Sequence, residues 1–106
     1  MRARARLQHL AALAEMQKEH DMARLKKLAQ AREATRQKVA ALSRPLPLAE
    51  DPALFAARQR HAQWAQQQRL RLNHVLARQT ADMLEQRRKS AKSLGRADVL
   101  ARLLGK

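Results

Sequence analysis

A chain of 106 residues with 45% apolar content, no cysteine, no tyrosine and single copies of Trp64 and Phe55 takes its apolar surface mainly from alanine and leucine. Alanine removes little area from water, so any core is thin for the chain length, and the absence of thiols excludes disulfides and cysteine chemistry. Lys and Arg number 23 against nine Asp and Glu, a formal charge of +14, which argues for an anionic partner: nucleic acid, an acidic protein face or an anionic membrane surface.

The charge is spread evenly, with eleven bases and four acids in residues 1–44 and twelve and five in residues 45–106. No apolar run approaches the ~20 residues needed to span a bilayer. The opening MRARARL has arginines without the apolar stretch of a secretory signal, so a cytoplasmic location is expected. Ala, Leu, Arg, Gln, Glu and Lys with almost no Gly or Pro is the composition of long helices, and the expected class is all-α.

A first helix is predicted from about residue 4 to residue 42, a stretch with neither Gly nor Pro. Its seam follows three-and-four spacing through Leu7, Leu10, Ala14, Gln17, Asp21, Leu25, Leu28, Arg32, Thr35, Val39 and Leu42. Residues 43–51 then form a turn. Pro45 and Pro47 force Arg44 and Leu46 out of the α region, and Asp51 before Pro52 reads as an N-cap followed by proline at the first helical position.

A second helix is predicted from Pro52 to about Leu94, with a seam of Phe55, Arg58, Ala62, Ala65, Arg69, Leu72, Leu76, Gln79, Met83, Arg87, Ser90 and Leu94. Gly95 suits the left-handed position that ends a helix, and residues 95–106 form a short amphipathic tail carrying Val99, Leu100, Leu103 and Leu104. Residues 1–94 are thus expected to fold as a long antiparallel two-helix coiled-coil hairpin. Folding back about a short loop pairs Leu42 with Phe55, Leu25 with Leu72 and Ala14 with Met83. It also brings Gln17 near Gln79 and His20 within a turn of His74.

The sequence holds no His-x-x-x-His pair, phosphate loop or nucleophile elbow, so no metal, no cofactor and no catalytic residue is expected. A two-helix hairpin also offers no deep concave pocket of the size small ligands use. Candidate function rests instead on two sets of side chains lying off the seam. Leu13, Met16 and Met22 on the first helix and Trp64, Leu70, Val75 and Leu84 on the second are apolar and have no internal interface to fill. They read either as a partner surface or as a widened seam, and self-association into a four-helix bundle would satisfy them too. Arg69, Arg71, Arg78, Arg87, Arg88, Lys89 and Lys92 form the basic set, with Lys26 and Lys27 added from the first helix. Phosphate binding through these alone would be non-specific, and nucleic acid stands as the alternative partner class.

A Leu-rich basic first helix, a short Pro-containing turn and an Arg/Gln/Ala-rich second helix over residues 4–94, with texture such as Leu25-Lys26-Lys27-Leu28-Ala29-Gln30-Ala31-Arg32-Glu33, resemble the flagellar and type III secretion export stalk family (FliJ and YscO). The resemblance implies a small coiled-coil hairpin that sits in the pore of a hexameric export ATPase, touches the export gate and works at the cytoplasmic face of a secretion apparatus. Members of that family are usually longer and richer in glutamate, and none of their functional residues maps onto this chain one by one.

Overall fold

The computed structural model describes residues 2–105. It is an all-α hairpin of two long helices, α1 over Arg2–Leu42 and α2 over Pro52–Leu103. α1 ends where Pro45 demands extended backbone at Arg44. There the Ser43 amide and hydroxyl both turn back onto the Val39 carbonyl, satisfying an end that would otherwise be bare. α2 begins as its sequence dictates. The Asp51 carboxylate accepts from the Ala53 amide at 2.9 Å, and the Asp51 carbonyl accepts from the Phe55 amide at 2.8 Å.

The far end of α2 differs from expectation. Gly95 is helical and α2 runs on through the predicted tail; the glycine that takes the left-handed conformation is Gly105, at φ +77°. Ala97, Leu100, Ala101 and Leu104 carry enough seam-facing apolar surface to extend the pairing past Gly95, and this outweighs the ~1 kcal/mol that an interior glycine costs.

The chain divides into two compact units. A split unit combines the residues up to Ala29 with those from Ala81 onward, and a turn unit comprises Gln30–Thr80. Within both, less exposed side chains recur at strict heptad spacing. On α1 they are Leu7, Ala11, Ala14, Lys18, Asp21, Leu25, Leu28, Arg32, Thr35, Val39 and Leu42; on α2 they include Ala65, Arg69, Leu72, Leu76, Gln79, Met83, Gln86, Ser90, Ser93, Ala97 and Leu100, with Leu104 just past its end. The expected seam agrees except for Leu10 and Gln17 on α1, and for Phe55, Ala62, Arg87 and Leu94 on α2, all of which are exposed. The core is thin: among the described residues the only buried apolar side chains are Ala65, Ala97 and Leu104, beside the buried polar Asp21, Thr35, Gln86, Ser90 and Ser93.

The register departs from the one a tight turn would give. In the split unit Asp21 lies against Ser90, and in the turn unit Arg32 donates to Thr80 at 2.8 Å. A tight turn would have set them opposite Leu76 and Ala65, an offset of about 14 residues or ~21 Å of helix. The cause is the connection. Leu42 shares a cavity wall with Arg69, so α2 extends some 17 residues, ~25 Å, past the end of α1. Nine residues held extended by two prolines span up to ~30 Å, which matches that distance. The offset is two heptads, so nearly the same residues face inward under either pairing. Gln17 and Gln79, expected to pair, fall in different units. Gln17 donates to Asp21 on its own helix, and the Gln79 side-chain oxygen is buried without a partner. His20 and His74 fall in different units.

Candidate functional site

In the turn unit the extended connection arches beside the overhanging start of α2 and leaves a cavity of about 610 Å3 between them. Leu42, Pro45, Leu46, Phe55, Ala62 and Ala65 supply apolar wall, and Arg44, Arg58, Arg69 and His61 supply the polar groups. The expectation that a hairpin has no concave pocket is therefore corrected: the connection is too long and too stiff to close flat. The Arg58 guanidinium donates to the Pro47 carbonyl and ties the connection to the helix.

Trp64, Leu70 and Val75 are exposed on this unit, Trp64 by 50% and Leu70 by 58%. The Trp64 ring lies 5.5 Å from that of His61 at 38°. Arg71 and Arg78 are exposed and follow Trp64 at seven-residue steps, on one line of the outer face. Arg69 belongs elsewhere, half-buried in the cavity wall. No acid occurs in α2 before Asp82, so this stretch carries arginine without local neutralisation.

The split unit holds a buried polar layer. The Asp21 carbonyl accepts from Gln86 Nε2 and from Ser90 Oγ, each at 3.1 Å. Its carboxylate accepts from the Ser93 hydroxyl and from Gln17 Nε2. The Ser93 hydroxyl first, then the Gln17 amide, hold the carboxyl below its usual range against the opposing effect of burial. Among the described residues no cation pairs with Asp21 within 4 Å, so neutral donors alone satisfy it. Such a layer fixes which residues stand opposite one another, because any slip strands a charge among apolar neighbours. The strict register is recognisable in the sequence only once Asp21 is set against the Gln86, Ser90, Ser93 cluster.

Leu13, Met16, Met22 and Leu84 are exposed on the split unit, Met16 by 64%. Arg87, Arg88, Lys89 and Lys92 are exposed as well, with Lys89 drawn to Glu85 at 3.9 Å. Consecutive helical residues project ~100° apart, so Arg87, Arg88 and Lys89 fan around α2, and only pairs such as Arg88 and Lys92 share a face. Several apolar residues expected in the seam or the tail are surface residues instead: Leu10, Phe55, Leu94, Val99 and Leu103 are all exposed, and Leu10 and Val99 line a shallow depression with Ala14, Gly95, Arg96 and Leu100. Strict heptad counting from Leu7 through Ala11 and Ala14 is the signal that places Leu10 outside.

Among the described residues no three His, Asp or Glu come together in a way that could hold a metal ion, and no helix is long and apolar enough to cross a membrane. No protein-family model matches the chain, and no curated protein or solved structure matches it.

Proposed function

We propose that this chain is a non-enzymatic helical hairpin that binds a protein partner, and that the partner is a hexameric export ATPase with its gate, as the likeness to export stalk proteins implies. One observation carries the reading: beside a thin seam, many of the larger apolar side chains lie on the outer faces of the helices. Leu13, Met16 and Met22 on α1 and Trp64, Leu70, Val75 and Leu84 on α2 are all exposed, while among the described residues no large side chain is fully buried. Apolar surface in that amount on so small a core is what an interface leaves behind when its partner is taken away. The basic residues supply steering toward an acidic surface, and the apolar ones supply grip. The site of action in this reading is the cytoplasmic face of a secretion apparatus.

The test is stimulation of the ATPase by the purified chain. Reversing Arg87, Arg88 and Lys89 to Glu together should abolish it while helicity is kept; unchanged stimulation would sink the mechanism.

A second reading has its own observation, the acid-free stretch Pro52–Ala81 with Arg60, Arg71 and Arg78 on its surface. Non-specific binding to nucleic acid would follow from it. Its signature is salt: affinity for random duplex should fall steeply between low and physiological salt, with a log–log slope near ~0.9 per phosphate neutralised and little dependence on Trp64.

A further inference from the structure

The depression on the split unit is walled by Leu10 and Ala14 from α1 and by Val99 and Leu100 from α2, with Gly95 and Arg96 at its edge. Leu10 is 52% exposed and Val99 55%, and Leu13 and Leu103 extend the apolar surface by one turn along each helix. A groove between two paired helices, with apolar residues at three-and-four spacing on both banks, has the shape that accepts a third helix.

Gly95 adds an independent pointer. It sits inside α2, where glycine weakens a helix relative to alanine, and a Cβ placed on it would meet nothing within 4 Å. The hairpin itself therefore gains nothing from a glycine here, neither a turn nor a close approach. An occupant whose backbone comes near α2 at this point would.

Charge selects the occupant. Arg96 lines the groove, Arg6 and Lys92 lie one helical turn before Leu10 and Arg96, and none of the three takes part in the ion pairs found among the described residues. The nearest acids are engaged: Asp98 with Arg102 at 3.0 Å and Glu15 with Lys18. The split unit as a whole carries fourteen Lys and Arg against six Asp and Glu. A second copy of this chain would set those cations against their own kind, which disfavours it.

We infer that this groove docks an acidic amphipathic helix of the partner protein, its apolar stripe seated between Leu10 and Val99 and its carboxylates facing Arg6, Lys92 and Arg96. The inference rests on the reading of the chain as a protein-binding hairpin and specifies where on the split unit, and by what chemistry, the partner is held.

The experiment is fluorescence anisotropy of the whole chain with a labelled synthetic peptide of about 20 residues, leucine at three-and-four spacing and glutamate elsewhere, beside a scrambled peptide of the same composition. The amphipathic peptide should bind at physiological salt and the scrambled one should not. Gly95→Leu fills the groove while improving helix propensity, and Val99→Asp removes one bank. Each should weaken binding by at least about tenfold with circular dichroism unchanged, whereas Leu54→Asp, at an exposed position of the turn unit outside both candidate sets, should leave it intact. Equal binding of both peptides, or wild-type affinity in Gly95→Leu and Val99→Asp, would overturn the inference. So would a dimer in sedimentation that Val99→Asp dissolves, because the occupant would then be a second copy. The assay contains no ATPase, so failure of the export reading leaves its outcome untouched.

Discussion

The offset register makes a prediction that a gel can decide. The chain has no cysteine, so a pair introduced at Asp21 and Ser90 is the only pair present. The Ser90 hydroxyl reaches the Asp21 carbonyl at 3.1 Å, a contact that holds the two Cα atoms within about 8 Å of one another, close to the ~7 Å a disulfide tolerates. Under a tight-turn register the same positions would stand ~21 Å apart along the axis, and no side-chain adjustment closes such a gap. A control pair at Ala14 and Met83 reverses the expectation. Oxidation at low protein concentration should shift the first pair on a non-reducing gel and leave the second reduced. Closing a loop of about 70 residues stabilises a chain by up to ~4 kcal/mol, so the cross-linked protein should also melt later than its reduced form. Rapid oxidation of the Ala14–Met83 pair with none at 21 and 90 would refute the register and the extended connection together.

Three further outcomes follow from the same geometry. Gly95→Ala should stabilise the protein by about 0.5–1 kcal/mol in urea unfolding, because Gly95 is helical with open space beside it; destabilisation would return Gly95 to a left-handed helix end. Leu28→Ala, at a half-buried seam position, should cost about 1–2 kcal/mol in the same assay, while Leu70→Ala on the exposed face should stay within about 0.5 kcal/mol. The folded-state pKa of Asp21 lies below its ordinary 3.8, so its stabilising contribution is complete above that value and is lost as pH falls through the depressed one. An acid titration of helicity should show that loss, and Asp21→Asn should flatten it; identical acid limbs in the two proteins would contradict the role given to the Ser93 and Gln17 hydrogen bonds.

The helices were legible because their determinants are local. Nearly forty residues without Gly or Pro, then Asp51 ahead of Pro52, specify a stop and a start through φ restriction and capping alone. Most of the seam was legible for the same reason, since three-and-four spacing is a property of one helix at a time. The pairing of the helices was not. A two-heptad slide keeps nearly the same residues facing inward, so periodicity cannot tell the two registers apart; the length of the connection and the burial of Asp21 against Gln86, Ser90 and Ser93 do. Gly95 misled because a glycine near a helix end is usually its cap, whereas here the apolar positions at Ala97, Leu100 and Leu104 continue the seam. The exposed residues were found from the wheel. Their division between two units, with Trp64, Leu70 and Val75 on one and Leu13, Met16, Met22 and Leu84 on the other, depends on tertiary pairing that no single-helix pattern contains.

The proposed engagement of protein through the exposed apolar faces is open to test by affinity purification of the tagged chain from its own cells, nuclease-treated and at physiological salt, with the bound species identified by mass spectrometry. An export ATPase or its gate should be retained after nuclease treatment and lost from a chain with Leu13 and Met16 changed to Asp. Recovery of ribosomal or nucleoid proteins alone, released by the nuclease, would contradict that engagement and assign the positive charge to nucleic acid.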